Sequence, residues 1–358
     1  MDFRPDEAQQ AIIRLTGEVL DGNPDAPEKA WADLGRAGLL SLAVPARLGG
    51  AGFGALETAL VLTEIGRRAV DVPAFQTLAL GVLPVARWGT EQQQDELLTD
   101  GRTFTAAIAE PGDPLPAAPR TLATPDWQLT GVKTGVTEAD HILVTVSTEE
   151  GPAVAIIDPA TPGVSREGQI LRLDQAQARP LGEDRPQARP PGKDRAQARH
   201  DGASRADCHA DLHRYARSGA CALADGALAG ALALTADHVR TRHQFGRPLA
   251  TFQAVAQQIA DVYIASRTLH VITLAAAWRL GAGRPADDDL AVAAQWLTAE
   301  ALPAVRTCHH LHGGLGLVAD YPLHRHTTLL RDMVRFLGGR EHCVEALGKR
   351  VGAPCSST

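Results

Sequence analysis

The sequence is poor in the patterns that build disulfide frameworks, zinc sites and membrane spans. Its 358 residues include five cysteines, which are scattered, odd in number and never arranged as Cys-x-x-Cys. Neither a disulfide-stabilised fold nor a zinc site is therefore indicated, and a reducing cytoplasm is the expected environment. No run of eighteen apolar residues occurs and the N-terminus is polar and acidic, so we expect neither a membrane partner nor secretion.

Positive charge is also scarce. The chain has 35 Lys and Arg residues against 42 Asp and Glu residues, which gives a formal net charge of −7 at pH 7. A general nucleic-acid binder needs a basic surface to displace phosphate counterions, so we expect no nucleic acid as a partner. Any anionic ligand must instead be bound by a local group of basic residues.

The spacing of apolar residues changes along the chain and predicts three domains. Residues 1–104 have helical spacing, clearest from Ala55 to Arg68, and predict an N-terminal helical domain. Residues 105–174 contain short β-branched runs separated by Gly, Pro and Asp, and predict a middle β domain built as a small antiparallel sheet or barrel. Residues 211–358 predict a C-terminal four-helix bundle, so the fold class is α+β, mainly α.

Residues 175–210 differ from the sequence on either side. Gln-Ala-Arg recurs there from positions 177, 187 and 197, within a stretch rich in Pro, Arg and charge. Such a segment has almost nothing to bury and cannot offset its ordering entropy, so the sequence predicts a disordered surface insertion. A role in recruiting a partner is the alternative.

A dinucleotide-binding loop of the Rossmann type is absent, because no Gly-x-Gly-x-x-Gly follows a strand in a βαβ unit. A dinucleotide would therefore need fixed basic groups for its pyrophosphate. Arg242 precedes Gln244 and Phe245 in a turn that Gly246 and Pro248 make possible. Arginine can pair with phosphate through two hydrogen bonds, and phenylalanine can pack against a flat ring. A helix-ending turn with a solvated arginine is the alternative.

Two motifs carry a family resemblance. The pattern Arg-x-x-Phe-Gly-x-Pro-x-x-x-Phe-Gln, from Arg242 to Gln253, resembles the motif with which acyl-CoA dehydrogenases reach the FAD of a neighbouring subunit. The later Leu-His-Gly-Gly-Leu-Gly turn, from Leu311 to Gly316, is similar to the turn that approaches the adenylate of that FAD. The resemblance covers the chain outside the insertion, and it implies the acyl-CoA dehydrogenase fold with FAD as cofactor.

The resemblance also assigns contacts with the cofactor. It places Arg242 on the FAD pyrophosphate, Phe245 and Gln253 beside the flavin, and the glycine turn near the adenylate. The residues expected to contact FAD are Arg242, Gln244, Phe245, Gln253, His310, Gly313, Gly314 and Gly316.

The departures from the family pattern concern the catalytic base. Removal of the α-proton of an acyl thioester requires a positioned carboxylate. The family's glutamate follows an Arg-Asp pair, but here Gly338 or Gly339 occupies that place. The family's alternative position, in the stretch from His213 to Ser218, also lacks a carboxylate, and Gly135 stands where an aromatic residue normally flanks the flavin. No catalytic residue is therefore assigned to this chain.

This pattern resembles the base-less subunit of the heteromeric acyl-CoA dehydrogenases with which actinobacteria shorten sterol side chains. The resemblance implies α,β-desaturation of a bulky, steroid-derived acyl-CoA by an α2β2 complex, whose second, Glu-containing paralogue supplies the base. An electron-transfer flavoprotein or a similar protein would accept the electrons. Two alternatives stay open: a self-sufficient homotetramer that uses Glu341, and a structural paralogue without activity.

Three histidines, His309, His310 and His312, lie together at one predicted helix end. A metal site needs ligands on one face and a further carboxylate or thiolate, so a helix cap or a cofactor contact explains these histidines better. We therefore expect no metal.

Overall fold

The computed structural model describes residues 4–99, 101–182 and 204–351. Two compact units emerge, and neither is one continuous stretch of sequence. The first contains Met1–Leu42, Phe53–Phe75 and Arg217–Thr358, and the second contains Ala43–Gly52 and Gln76–Ala216. The predicted domains follow periodicity along the chain, so their limits differ from those of these units.

The N-terminal part is helical, as expected. Its elements are α1 (Glu7–Asp21), α2 (Pro27–Arg36), 3-10 turns at Leu39–Ser41 and Ala46–Leu48, α3 (Ala55–Arg68), a π-helical segment (Phe75–Val82), α4 (Leu83–Trp88) and α5 (Glu91–Leu97). Asp6 caps α1, because its side chain accepts a hydrogen bond of 2.8 Å from the Gln9 amide while the Gln9 side chain accepts one of 3.1 Å from the Asp6 amide.

Eight strands form one sheet in the second unit. They are β1 (Phe104–Ala107), β2 (Leu122–Ala123), β3 (Gln128–Lys133), β4 (His141–Thr148), β5 (Gly151–Ile157), β6 (Val164–Glu167), β7 (Ile170–Gln177) and β8 (Arg179–Pro180). The order is β6-β7-β3-β2-β4-β5-β8, with β1 also paired to β4. Strands β1 and β2 run parallel to β4, so the sheet is mixed. The prediction of an antiparallel sheet was wrong for these two strands. Parallel strands cannot be joined by a tight hairpin and need a longer connection. Neither β1 nor β2 is joined to β4 by a tight hairpin, as this rule requires.

Both ends of the predicted insertion belong to ordered elements. Strands β7 and β8 contain most of residues 175–180, and the next helix begins at Arg205, so the insertion as predicted was too long. Leu171, Leu173 and Ala176 of β7 are buried in the sheet core, as is Ala178 just after the strand. Strand β7 therefore has a near-alternating pattern, although the Gln-Ala-Arg repeat obscures it. Residues 183–203 lie outside the described residues.

The C-terminal part is helical as predicted. Its elements are α6 (Arg205–Thr241), β9 (His243–Gln244), β10 (Arg247–Pro248), a 3-10 turn at Leu249–Thr251, α7 (Gln253–Gly281), α8 (Asp287–His312), a 3-10 turn at Gly313–Leu317, α9 (Leu323–Phe336) and α10 (Gly339–Val351). Helix α8 opens with three aspartates, Asp287 to Asp289, which favour a helix N-terminus because they complement its dipole.

Two helices, α6 and α7, are long and apolar enough to cross a membrane when judged by length and composition alone. The most apolar window of α6 is 72% buried inside the protein, and that of α7 is 33% buried. Two such helices are weak evidence for a membrane span, since the core helix of a globular protein meets the same criterion.

Helices α3 and α6 approach each other most closely at glycines of the first unit. A Cβ atom at Gly226 would lie 1.9 Å from the Thr63 carbonyl oxygen, and one at Gly66 would lie 2.0 Å from the Leu223 carbonyl oxygen. Beside this contact, the Thr63 hydroxyl donates a 3.1 Å hydrogen bond to the carbonyl oxygen of Ala222. The two backbones are therefore too close for any side chain.

Gly226→Ala is expected to lower the free energy of unfolding by about 1–3 kcal/mol, because the added methyl forces the helices apart. Denaturant unfolding followed by circular dichroism measures the change. Gly348→Ala is the control: Gly348 is helical, exposed and has nothing within 4 Å of an added Cβ. This second substitution should raise stability by up to about 1 kcal/mol. Equal stability of the Gly226 variant and the wild type would refute the close packing.

Candidate cofactor site

The first predicted motif forms an exposed hairpin in the first unit. The Arg242 amide donates a 2.8 Å hydrogen bond to the His238 carbonyl as α6 ends, and the Leu249 amide donates one of 2.8 Å to the Arg242 carbonyl, which closes the base of the hairpin. Strands β9 and β10 pair between these points. Phe245 lies at the tip with a φ of 51°, and it is 92% exposed.

The chemistry of this hairpin suits an anion next to a flat ring. Arg242 and Arg247 form no ion pair with any carboxylate of the described ranges, so both charges are available. Arg247 lies over the Phe252 ring at 4.1 Å, and the Phe245 and Phe252 ring centroids are 6.2 Å apart. Gln244, on β9, and Gln253, the first residue of α7, are also exposed.

The second predicted motif follows the end of α8. Gly313 and Gly314 are exposed, and a Cβ atom at either would meet nothing within 4 Å, so the backbone of this turn is open to a ligand. His310 is exposed as well, whereas Gly316 is buried. An Arg without a carboxylate partner, a bare aromatic ring and an open glycine turn together fit a dinucleotide of the FAD type.

A stacked pair of histidines joins the two motifs. His238 lies one turn before Arg242, and His312 is the last residue of α8 before the diglycine. Their ring centroids are 4.5 Å apart with an interplanar angle of 22°. The structure therefore places the base of the hairpin next to the glycine turn within this chain. Sequence reasoning missed His238, although its place four residues before Arg242, in the last turn of α6, was a usable signal.

Two histidines of α8 hold the glycine turn in place. His309 bonds the Gly316 carbonyl through Nδ1 at 2.9 Å and the Thr327 hydroxyl through Nε2 at 2.7 Å. His312 bonds the Cys308 carbonyl through Nδ1 at 2.8 Å and the Tyr321 hydroxyl through Nε2 at 2.9 Å. A carbonyl oxygen can only accept, so Nδ1 of His312 carries the proton and Nε2 accepts from Tyr321.

Burial and nearby charge favour the neutral form of the stacked histidines. Burial lowers the pKa of His238, and the neighbouring Arg242 lowers it further. Burial also lowers the pKa of His312; its bond to the Cys308 carbonyl opposes this, while His238 and His309 add to it. The pKa of the Tyr321 hydroxyl is raised by burial and by Asp237. These effects favour the neutral form of both stacked rings and of the Tyr321 hydroxyl.

The stretches in which the sequence resemblance expected a catalytic glutamate lie in two parts of the structure. Gly338 and Gly339 connect α9 to α10, and Glu341 is exposed on the first turn of α10. In the second unit, the stretch from His213 lies just after Asp211, whose two carboxylate oxygens accept hydrogen bonds of 3.0 Å from the Trp88 ring and 2.8 Å from Arg214. Asp211 is therefore committed to these contacts.

No group of three or more His, Cys, Asp or Glu side chains suited to a metal ion occurs within residues 4–99, 101–182 and 204–351. The three histidines at the end of α8 differ in their surroundings. His309 and His312 face inward and bond to backbone and hydroxyl groups, whereas His310 faces solvent.

Comparisons with known proteins agree with this fold. The C-terminal domain of acyl-CoA dehydrogenases matches residues 212–351, and the N-terminal domain of the same family matches residues 8–101. The acyl-CoA dehydrogenase FadE28 of Mycobacterium tuberculosis is 40% identical over 100% of both chains. The chain therefore belongs to the acyl-CoA dehydrogenase family of oxidoreductases. FAD, the cofactor expected from the sequence, is confirmed as the cofactor of this family.

Two solved structures are close to the whole chain. One is a variant of the Tcur3481-Tcur3483 steroid acyl-CoA dehydrogenase, 31% identical, with a TM-score of 0.86 over 98% of this chain and 99% of that one. The other is the ChsE4-ChsE5 complex from Mycobacterium tuberculosis, 30% identical, with a TM-score of 0.85 over 99% of this chain and 100% of that one. The predicted fold class is confirmed.

Proposed function

We propose that this chain is one subunit of a heteromeric, FAD-dependent acyl-CoA dehydrogenase that desaturates a bulky, steroid-derived acyl-CoA. The observation that carries the proposal is a contrast between the residues suited to cofactor binding and the residues at the expected position of the catalytic base. The Arg242 hairpin and the diglycine turn keep a surface suited to FAD, while glycines occupy the place of the catalytic base. A Glu-containing paralogue supplies the base in this proposal.

The reaction divides between the two chains. A carboxylate of the paralogue would take the α-proton of the thioester, and FAD, when bound, would supply the acceptor for the hydride of the β-carbon. In this chain, Arg242 would pair with the pyrophosphate, Phe245 and Gln253 would support the flavin, and Gly313 and Gly314 would let the adenylate approach the backbone. An electron-transfer flavoprotein or a similar acceptor removes the electrons.

Exposed apolar side chains support a partner chain. Phe245 is 92% exposed and Leu317, just after the glycine turn, is 84% exposed. Tyr263 and Ile264, neighbours on α7, are each 57% exposed. Each of these side chains offers apolar area that a second chain could cover. The relatives favour a paralogue as the occupant, because the similar solved structures carry the names of two-component assemblies.

The steroid part of the proposal depends on these relatives. The Tcur3481-Tcur3483 structure is described as a steroid acyl-CoA dehydrogenase. Its similarity to the present chain, over nearly the full length of both, makes a bulky acyl group the best supported substrate class.

The proposal predicts that FAD is retained only by a mixed complex. The chain is purified alone and after co-expression with a Glu-containing paralogue, and the flavin absorbance and subunit masses of both preparations are recorded. We expect flavin absorbance only in the complex, with both masses present. A flavin-containing homo-oligomer of this chain that turns over acyl-CoA would refute the proposal and direct the search for a base to Glu341.

A further inference from the structure

We infer that His238 is a further cofactor-contacting residue and that it takes up a proton when FAD binds. This inference rests on the proposed function, because it needs the FAD pyrophosphate beside Arg242. It adds a residue that the family motifs do not contain and a dependence of FAD affinity on pH.

The position of His238 carries the first step. It lies four residues before Arg242, which follows the last residue of α6, and the charge of Arg242 acts on the His238 ring. The Arg242 amide is bonded to the His238 carbonyl at 2.8 Å, which fixes the two residues relative to each other. A phosphate group paired with Arg242 therefore comes close to the His238 imidazole.

The two stacked histidines differ in how their nitrogens are used. Both nitrogens of His312 are engaged, by the Cys308 carbonyl and the Tyr321 hydroxyl, and the residue is 5% exposed. The ring of His238 is half-buried and forms no hydrogen bond with any part of the described chain. His312 therefore supports the stack as a neutral ring, and His238 is the member that is free to take a proton.

The charges around His238 set the direction of the effect. On its own helix this is Asp237, which pairs with Arg240 at 2.9 Å, and Arg242 follows just after the helix end. From α8 and the following loop, His312 stacks on His238, while His309 and Tyr321 act on His312. Without ligand, burial and Arg242 keep the pKa of His238 below its usual value of about 6.5. The negative charge of a pyrophosphate offsets Arg242 and favours the protonated ring.

Linkage then fixes the sign of the pH dependence. When the complex with FAD holds the His238 proton more tightly than the free protein does, the affinity for FAD rises as pH falls. The rise takes place between the pKa of His238 in the complex with FAD and its lower pKa in the free protein. The gain in affinity is up to about tenfold for each unit that separates the two pKa values.

The test measures protons directly. FAD is titrated into the apo form of the mixed complex near pH 6.5, in buffers of different ionisation enthalpy, so that calorimetry gives the protons taken up per FAD. We expect net uptake of a fraction of one proton, and a dissociation constant that falls from pH 8 to pH 6. His238→Phe keeps a stacking ring but cannot be protonated, so both effects should disappear; His238→Gln should behave in the same way.

His342→Gln is the matched control, since His342 is a half-buried histidine on α10 and should leave the uptake unchanged. Uptake that persists in both His238 variants, or FAD that binds the wild-type complex without any proton, overturns the inference and leaves the shared-FAD proposal intact. A complex that binds no FAD at any pH overturns both.

Discussion

Arg242→Ala is expected to strip FAD from the mixed complex. Arg242 has no carboxylate partner in the described chain, so its guanidinium is free to pair with the pyrophosphate through two charge-assisted hydrogen bonds. Removing one partner of such a pair costs about 2–5 kcal/mol of binding free energy, which corresponds to about a 30-fold to several-thousand-fold weaker affinity. Flavin absorbance of the purified complex and an equilibrium titration with FAD measure the loss.

Arg240→Ala separates this effect from a general loss of positive charge. Arg240 lies two residues earlier, is exposed and pairs with Asp237 at 2.9 Å, so its removal should leave FAD affinity within about threefold. Both variants should still assemble with the paralogue at unchanged subunit mass. Full flavin occupancy in the Arg242 variant would show that the pyrophosphate lies elsewhere.

Lys133→Met is expected to cause the largest loss of stability in the sheet unit. The side chain of Lys133 is 0% exposed and that of Glu110 is 1% exposed, with 2.9 Å between them. Lys133 also donates to the Thr145 hydroxyl at 2.9 Å, and Glu110 accepts hydrogen bonds from the amides of Thr121 and Arg120. The pair is therefore almost fully satisfied inside the protein.

The substitution leaves Glu110 as a buried charge without its cation. Breaking a buried ion pair from one side costs about 3–5 kcal/mol, and denaturant unfolding measures the difference. Adding Glu110→Gln to Lys133→Met removes the unpaired charge and should restore part of the loss. Arg166→Met is the surface control: its pair with Glu138 has the same distance, 2.9 Å, but the Glu138 side chain is 87% exposed, so we expect a change below about 1 kcal/mol. Equal losses for the Lys133 and Arg166 variants would contradict the buried pair.

Acid should act on this pair in a defined pH range. Burial raises the pKa of Glu110, but the Lys133 ammonium and the Arg120 and Thr121 amides outweigh it and lower the pKa to about 2. A carboxyl whose pKa is lower in the folded state stabilises the protein fully above its unfolded value of about 4.3 and loses that contribution as pH falls toward 2. Unfolding midpoints between pH 5 and pH 2 should therefore fall less steeply in Glu110→Gln than in the wild type.

The sequence predicted those structural features that are determined by residues close together in the chain. Helix α3 occupies Ala55–Arg68 as the apolar spacing indicated, and the aspartates at Asp287 open α8 as expected. The prediction that Gly338 or Gly339 takes the place of a catalytic carboxylate also came from a short stretch of sequence, and it stays a prediction. These features need only a few consecutive residues to be recognised.

Features that depend on distant residues could not be predicted in this way. Lys133 and Glu110 are 23 positions apart, and the residues around each give no signal that the two side chains pair in the interior. The stacking of His238 on His312 joins two helices through the packing of the first unit. The parallel pairing of β1 with β4 likewise depends on the path of the chain between them. Periodicity reports which side of an element is buried, but it does not report what that side meets.

The two glycines between α9 and α10 bear on the proposed division of labour. Gly338 and Gly339 have φ angles of 84° and 79°, in the left-handed region where an L-residue with a Cβ is strained by about 1–2 kcal/mol. A glutamate introduced at either position would carry this strain. The backbone of the turn therefore disfavours a base in this chain, which is consistent with the proposal that the paralogue supplies it.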